Sequence, residues 1–168
     1  MMALVKEGQL NPVAEDVAAR AEVGLRSVFR HFKDMESLYA EMALRLARVY
    51  QPAMLPFHST DWRGQLHEAI DRRTMIFEQL LPFKRAADAH RHESATIQAN
   101  HAMTTQLLRA RLRSLLPPRM ADDPVAFETI DLLLSVDSWQ RLRREQNLTP
   151  AAAREVIERL VTALVGAD

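Results

Sequence analysis

The stretch "VAEDVAARAEVGLRSVFRHFKDMESLYAEM", residues 13–42, decides how the chain is read. Ala14, Val17, Ala18 and Ala21 recur at i, i+3, i+4 and i+7, which lines small apolar residues along one face of a helix. Past the turn "AEVG", residues 21–24, the same spacing returns in Leu25, Val28, Phe29 and Phe32. Asp34 then stands at an N-cap position, ahead of a third helix that carries Leu38, Met42, Leu46 and Val49 on one side and runs to about Gln51, before Pro52. Two short helices across a tight turn form a helix-turn-helix, which lays its second helix in the major groove of DNA.

At about 100° per residue, Leu25, Val28, Phe29 and Phe32 cover roughly a third of the second helix and are expected to anchor it. Arg26, Ser27, Arg30, His31 and Lys33 are left facing outward. Arginine forks onto guanine O6 and N7, while serine, histidine and lysine reach phosphates or base edges. An ordinary solvated helix face has the same composition, so the pattern by itself leaves both readings open.

Outward from this stretch the chain stays helical. Asn11-Pro12, Asp123-Pro124 and Thr149-Pro150 each pair an N-cap residue with proline at the first helical position, and no stretch alternates like a strand. The spacing predicts helices over Trp62 to Leu81, Pro82 to about His92, Glu93 to Leu116, Pro124 to about Glu145, and Pro150 to Val165. The expected fold is all-α, small helices first and long ones after.

Composition narrows the partners. Lys plus Arg and Asp plus Glu both number 22 among 168 residues, so nucleic-acid binding would need a local patch rather than global charge. Cysteine is absent, which excludes disulfides, thiolate metal sites and cysteine nucleophiles and agrees with a reducing, cytoplasmic setting. The apolar start is broken at once by Lys6 and Glu7, and no later apolar run approaches the roughly 20 residues of a membrane span.

Residues 13–42 resemble the DNA-binding domain of the tetracycline-repressor (TetR-like) family of transcriptional regulators. That family's pattern, Val-Ala-x-x-Ala-Gly-Val-Ser followed by a helix ending in Tyr-x-His-Phe, is matched here by Val17, Ala18, Ala21, Val23, His31, Phe32 and Leu38. Glu22 stands at the family's turn glycine and Gly24 at its capping serine, so the turn is expected to be reshaped around Gly24. Phe29 replaces the usual tyrosine and Met35 a frequent lysine, which removes two phosphate contacts. Of the family's first helix only the tail, Ala3 to Glu7, is expected, ended by Gly8.

The resemblance implies a helix-turn-helix domain over residues 1–45, with Arg26, Ser27, Arg30, His31 and Lys33 as the DNA contacts. It also implies a helical effector-binding and dimerisation domain over residues 46–168. The residues themselves support pairing: Val156, Ile157, Leu160, Val161, Leu164 and Val165 form a stripe too broad for one small partner helix. Helices at about 124–145 and 150–165 from two subunits would make a twofold four-helix bundle; the alternative is that they complete the monomer's core. Trp62, His67, Met75, Phe77, Phe83, His90, Met103, Phe127 and Trp139 are the aromatic, methionine and histidine residues available to line an effector cavity, though such residues at helical spacing also build plain cores.

The run "HRHE" places His90 and Glu93 on one face but His92 about 200° from His90 on a helix, so no metal site is expected. No Gly-rich phosphate loop or nucleophile elbow occurs, and neither an enzyme nor a cofactor is expected. The reading is of a homodimeric, ligand-responsive repressor that binds a palindromic DNA operator and an unidentified small-molecule effector. The alternative is a helical small-molecule-binding or interaction module of the same fold without productive DNA binding.

Overall fold

Short-range hydrogen bonds set where most helices begin. In the computed structural model, which describes residues 1–166, Asp34 Oδ1 accepts from the Ser37 amide at 2.8 Å while Ser37 Oγ accepts from the Asp34 amide at 3.2 Å. This reciprocal capping box opens α4 (Met35–Ala47), after α1 (Met2–Lys6), α2 (Ala14–Arg20) and α3 (Leu25–His31). Arg48–Tyr50 tighten into a 3₁₀ turn that leads to α5 (Gln51–Met54). Two long helices follow, α6 (Trp62–His90) and α7 (Ala95–Leu115), then the short α8 (Pro118–Ala121). Asp123 Oδ1 takes the amides of Val125 and Ala126 at the start of α9 (Pro124–Leu133). Then come α10 (Val136–Gln140), a π-helical turn over Arg141–Glu145, and α11 (Pro150–Val165), whose first turn Thr149 caps through the Ala152 amide. The described residues contain no strand, as the all-α reading expected.

Three helix boundaries differ from the sequence expectation. Asn11-Pro12 does not open α2. Asp16 reaches back to accept from the Val13 amide at 2.9 Å and from Gln9 Nε2 at 2.6 Å, so Val13 becomes the N-cap and Pro12 is buried. Pro82, expected to separate two helices, lies inside α6. It removes one rung of the backbone ladder, a cost of about 3 kcal/mol. The adjacent Leu80, Leu81 and Phe83 are each at least 95% buried, and side chains of that kind contribute roughly 1.5–3 kcal/mol apiece. Burial therefore outweighs the lost bond. The segment expected as one helix from Pro124 to Glu145 breaks at Leu134–Ser135, where Ser135 Oγ caps the Ser138 amide. The Leu134 carbonyl left over by the break accepts from the buried Arg73 guanidinium at 3.0 Å.

The chain divides into two compact units, and α6 and α7 each contribute one part to both. The first comprises residues 1–49 and 80–104, so it holds α1 to α4 together with segments that the sequence reading grouped with the C-terminal helices. Its buried apolar side chains include Val5, Ala14, Ala18, Val28, Leu38, Phe83 and Ala86. Arg20 pairs with Glu7 at 3.0 Å, tying α2 to α1. Glu36 accepts from the Thr96 amide at 3.1 Å, joining the start of α4 to the start of α7.

The second unit comprises residues 50–79 and those from 105 on. Ile70, Ile76, Phe77, Leu112, Phe127, Ile130, Leu134, Trp139, Ile157 and Val161 are among its most deeply buried side chains. Arg72 holds the segment before α6 by donating to the carbonyls of Pro52, Leu55 and Pro56 while pairing with Glu68 at 3.0 Å. No described helix is long and apolar enough to cross a membrane.

Candidate functional site

The turn between α2 and α3 is built around Glu22. Its φ of 54° is left-handed, the Glu22 amide bonds the Ala19 carbonyl at 3.2 Å, and the Val23 amide returns to the Ala18 carbonyl at 3.0 Å. Gly24, two residues on, is extended at φ −70° and ψ 148° and serves as the N-cap of α3 with no side chain to cap it. The expectation of a turn reshaped around Gly24 is therefore corrected. The backbone keeps its left-handed position at residue 22, and glutamate occupies it at a steric cost glycine would avoid.

Geometry on α3 follows from Val28, which is 6% exposed and points inward. At about 100° per residue, Arg26 and Arg30 both fall about 160° from Val28, one turn apart on the outward face. Ser27 and His31 lie on one flank, and Leu25 and Phe29 on the other, at about 60° and 100° from Val28. That second flank has no cover: Leu25 is 37% and Phe29 47% exposed. The expected four-residue anchor thus narrows to Val28, with Phe32 half-buried, because a seven-residue helix offers its neighbours only a narrow strip. Arg26, Arg30, His31 and Lys33 are exposed, and among the described residues they form no side-chain hydrogen bond or ion pair.

The nine side chains offered for an effector cavity do not line one site: Phe83, His90 and Met103 belong to the first unit and the others, the buried Phe127 among them, to the second. Phe77 and Trp139 are 2% and 1% exposed in the core of the second unit, where Trp139 Nε1 donates to Glu78 at 3.0 Å. Met75 and Met103 sit on the surface of the second and first units respectively. His67 pairs with Glu158 at 3.2 Å, and Trp62 lies under the Arg63 guanidinium.

Of the nine, His90 borders a cavity of about 60 Å³ within the first unit, walled by α1, α4, α6 and α7 and the segment holding Leu10 and Pro12. Phe83 lines it as well. Tyr39 stacks on His90 with ring centroids 6.0 Å apart, and burial first, then Glu36 and Glu93, push its hydroxyl pKa up. His90 Nε2 is fully buried and has no partner among the described residues. Sequence reasoning missed Tyr39, Met42, Leu46 and Ile97 as cavity residues, since nothing local marks residues about fifty positions apart as neighbours. Glu93 meets both neighbouring imidazoles, at 3.8 Å from His90 and 3.2 Å from His92. No three metal-ligating side chains gather among the described residues.

No family model, no curated protein and no solved structure matches the chain.

Proposed function

We propose that the chain is a DNA-binding transcriptional regulator of the TetR-like kind, a ligand-responsive repressor that reads a palindromic operator as a cytoplasmic homodimer and is not an enzyme. The observation that carries this reading is the outward face of α3. Arg26 and Arg30 project one turn apart with no ion pair among the described residues, so they are free for phosphate or a guanine edge. Ser27, His31 and Lys33 flank them, and the exposed Phe29 offers apolar contact to a thymine methyl group.

Pairing of subunits has its own support. In α11, Ile157 and Val161 are 2% and 1% exposed, while Leu160 and Leu164 on the neighbouring strip of the same helix are 47% and 46% exposed. Leu132 on α9 is left out as well. This is the arrangement expected when one half of a broad stripe closes the monomer and the other meets a second copy. In such a dimer an effector that favours the wrong spacing of the two α3 helices weakens DNA binding, and DNA weakens the effector by the same factor.

The test is a titration of a random duplex pool at several salt concentrations. Three cations per subunit in a dimer give a slope of log affinity against log salt of about −5 if all reach phosphate. Arg26→Ala or Arg30→Ala should weaken the selected duplex about tenfold or more. Absence of sequence preference together with a flat salt dependence refutes the reading. That result would favour a small-molecule-binding or interaction module of the same fold, for which the cavity beside His90 is the supporting observation. Sedimentation as a monomer at micromolar concentration would remove the dimer.

A further inference from the structure

We propose that the cavity of the first unit binds a small, mostly apolar molecule carrying one hydroxyl, of the class of simple phenols, whose O–H donates to His90 Nε2. Three observations lead there. Val5, Leu46, Phe83 and Ile97 give the cavity carbon walls, which favour an apolar occupant. His90 Nε2 is buried without a partner, a standing cost that a ligand able to hydrogen-bond removes. The Glu93 carboxylate lies 3.8 Å from Nδ1 of the same ring, too far for a hydrogen bond but on the side of the ring where its charge attracts the single proton of a neutral imidazole, so Nε2 serves as the acceptor. The ligand must then bring the donor, and a hydroxyl on an otherwise apolar body is the simplest group that does.

Size and shape limit the class further. The cavity is partly open and its interior space is about 60 Å³, less than the roughly 150 Å³ of an engineered cavity that takes benzene. A single ring therefore enters with displacement of Met1 and Met42 at the walls, whose unbranched side chains repack readily. Water is the competing occupant, since Tyr39, Thr96 and Asn100 line the cavity beside His90, and the ligand must gain enough from the carbon walls to displace it. The site lies wholly within the first unit, and the proposal concerns binding alone, so it does not rest on the DNA-binding reading.

Calorimetric titration of the full chain with phenol, and with toluene as the ring of matched shape without a hydroxyl, tests it. Phenol should bind about tenfold more tightly than toluene. His90→Phe should erase that preference while leaving toluene binding in place, and His90→Gln, which keeps an acceptor, should retain part of it. Ala87→Leu, which fills the cavity from α6, should abolish binding of both compounds, with thermal melts confirming that each variant is folded. No phenol binding to the unaltered chain at millimolar concentration, a preference that survives His90→Phe, or binding that survives Ala87→Leu overturns the proposal.

Discussion

Replacing Glu22 by glycine should stabilise the protein, and replacing Gly24 by serine should do so too. Glu22 holds φ 54°, where a Cβ crowds the backbone by about 1–2 kcal/mol. Glycine removes that strain but gains freedom in the unfolded chain worth roughly 0.5–1 kcal/mol, so the net gain for Glu22→Gly is about 0.5–1 kcal/mol. Glu22→Ala keeps the strain and should be near neutral. At Gly24 the backbone is extended, and a Cβ would meet no heavy atom within 4 Å. Serine there supplies the missing cap, worth a few tenths of a kcal/mol over glycine, and restricts the unfolded chain by about 0.4–1 kcal/mol more. Either change should raise the melting temperature by about 1–4 °C for a chain of this length, measured by scanning calorimetry. The two sites share one turn, so the double variant should depart from the sum. A loss of stability in Gly24→Ser with no gain in Glu22→Gly would place the left-handed residue at 24 and refute the turn geometry.

Other parts of the structure make comparable commitments. Arg73 is 4% exposed and donates to the Leu108 and Leu134 carbonyls at 2.5 and 3.0 Å, so Arg73→Ala should cost about 3 kcal/mol in urea unfolding, through the orphaned Leu134 carbonyl at the end of α9 and a cavity. Glu68 accepts from the Ser59 hydroxyl and from the His58 and Ser59 amides, which, with Arg72 beside it, hold its carboxyl down to about 2. Because the folded value lies below the ordinary 4.5, this stabilisation is complete above that value and is lost as pH falls toward about 2. Glu68→Gln should therefore flatten the acid limb of the stability–pH curve. Pro82→Ala restores a backbone donor inside α6 and should stabilise by about 1 kcal/mol or more in thermal or urea melts.

Legibility in the sequence followed the range of the interaction. Asp34, Asp123 and Thr149 were readable as helix starts because each cap joins a side chain to an amide two or three residues away. Asn11 failed as a start because Asp16, an equally local group, serves the same end of the helix two residues later. The outward direction of Arg26 and Arg30 was equally local, set by the helical period from Val28. The exposure of Leu25 and Phe29 was not, since periodicity says that a flank is apolar and not that a neighbour covers it. The nominated effector residues shared a residue type and nothing more, and type does not distinguish the buried Trp139 from the exposed Met103.

The sequence by itself determined that this chain is helical, where most of its helices start, and that Arg26 and Arg30 share the outward face of one short helix. Those properties arise from neighbours within about one turn, where composition and spacing are sufficient. Tertiary structure alone decided that α6 continues through Pro82, that the helix after Asp123 stops at Leu134 under the Arg73 guanidinium, and that Tyr39 meets His90 at the wall of a cavity. Each of these sets a local preference against burial or a hydrogen bond supplied from dozens of residues away, and only the folded chain brings those partners together.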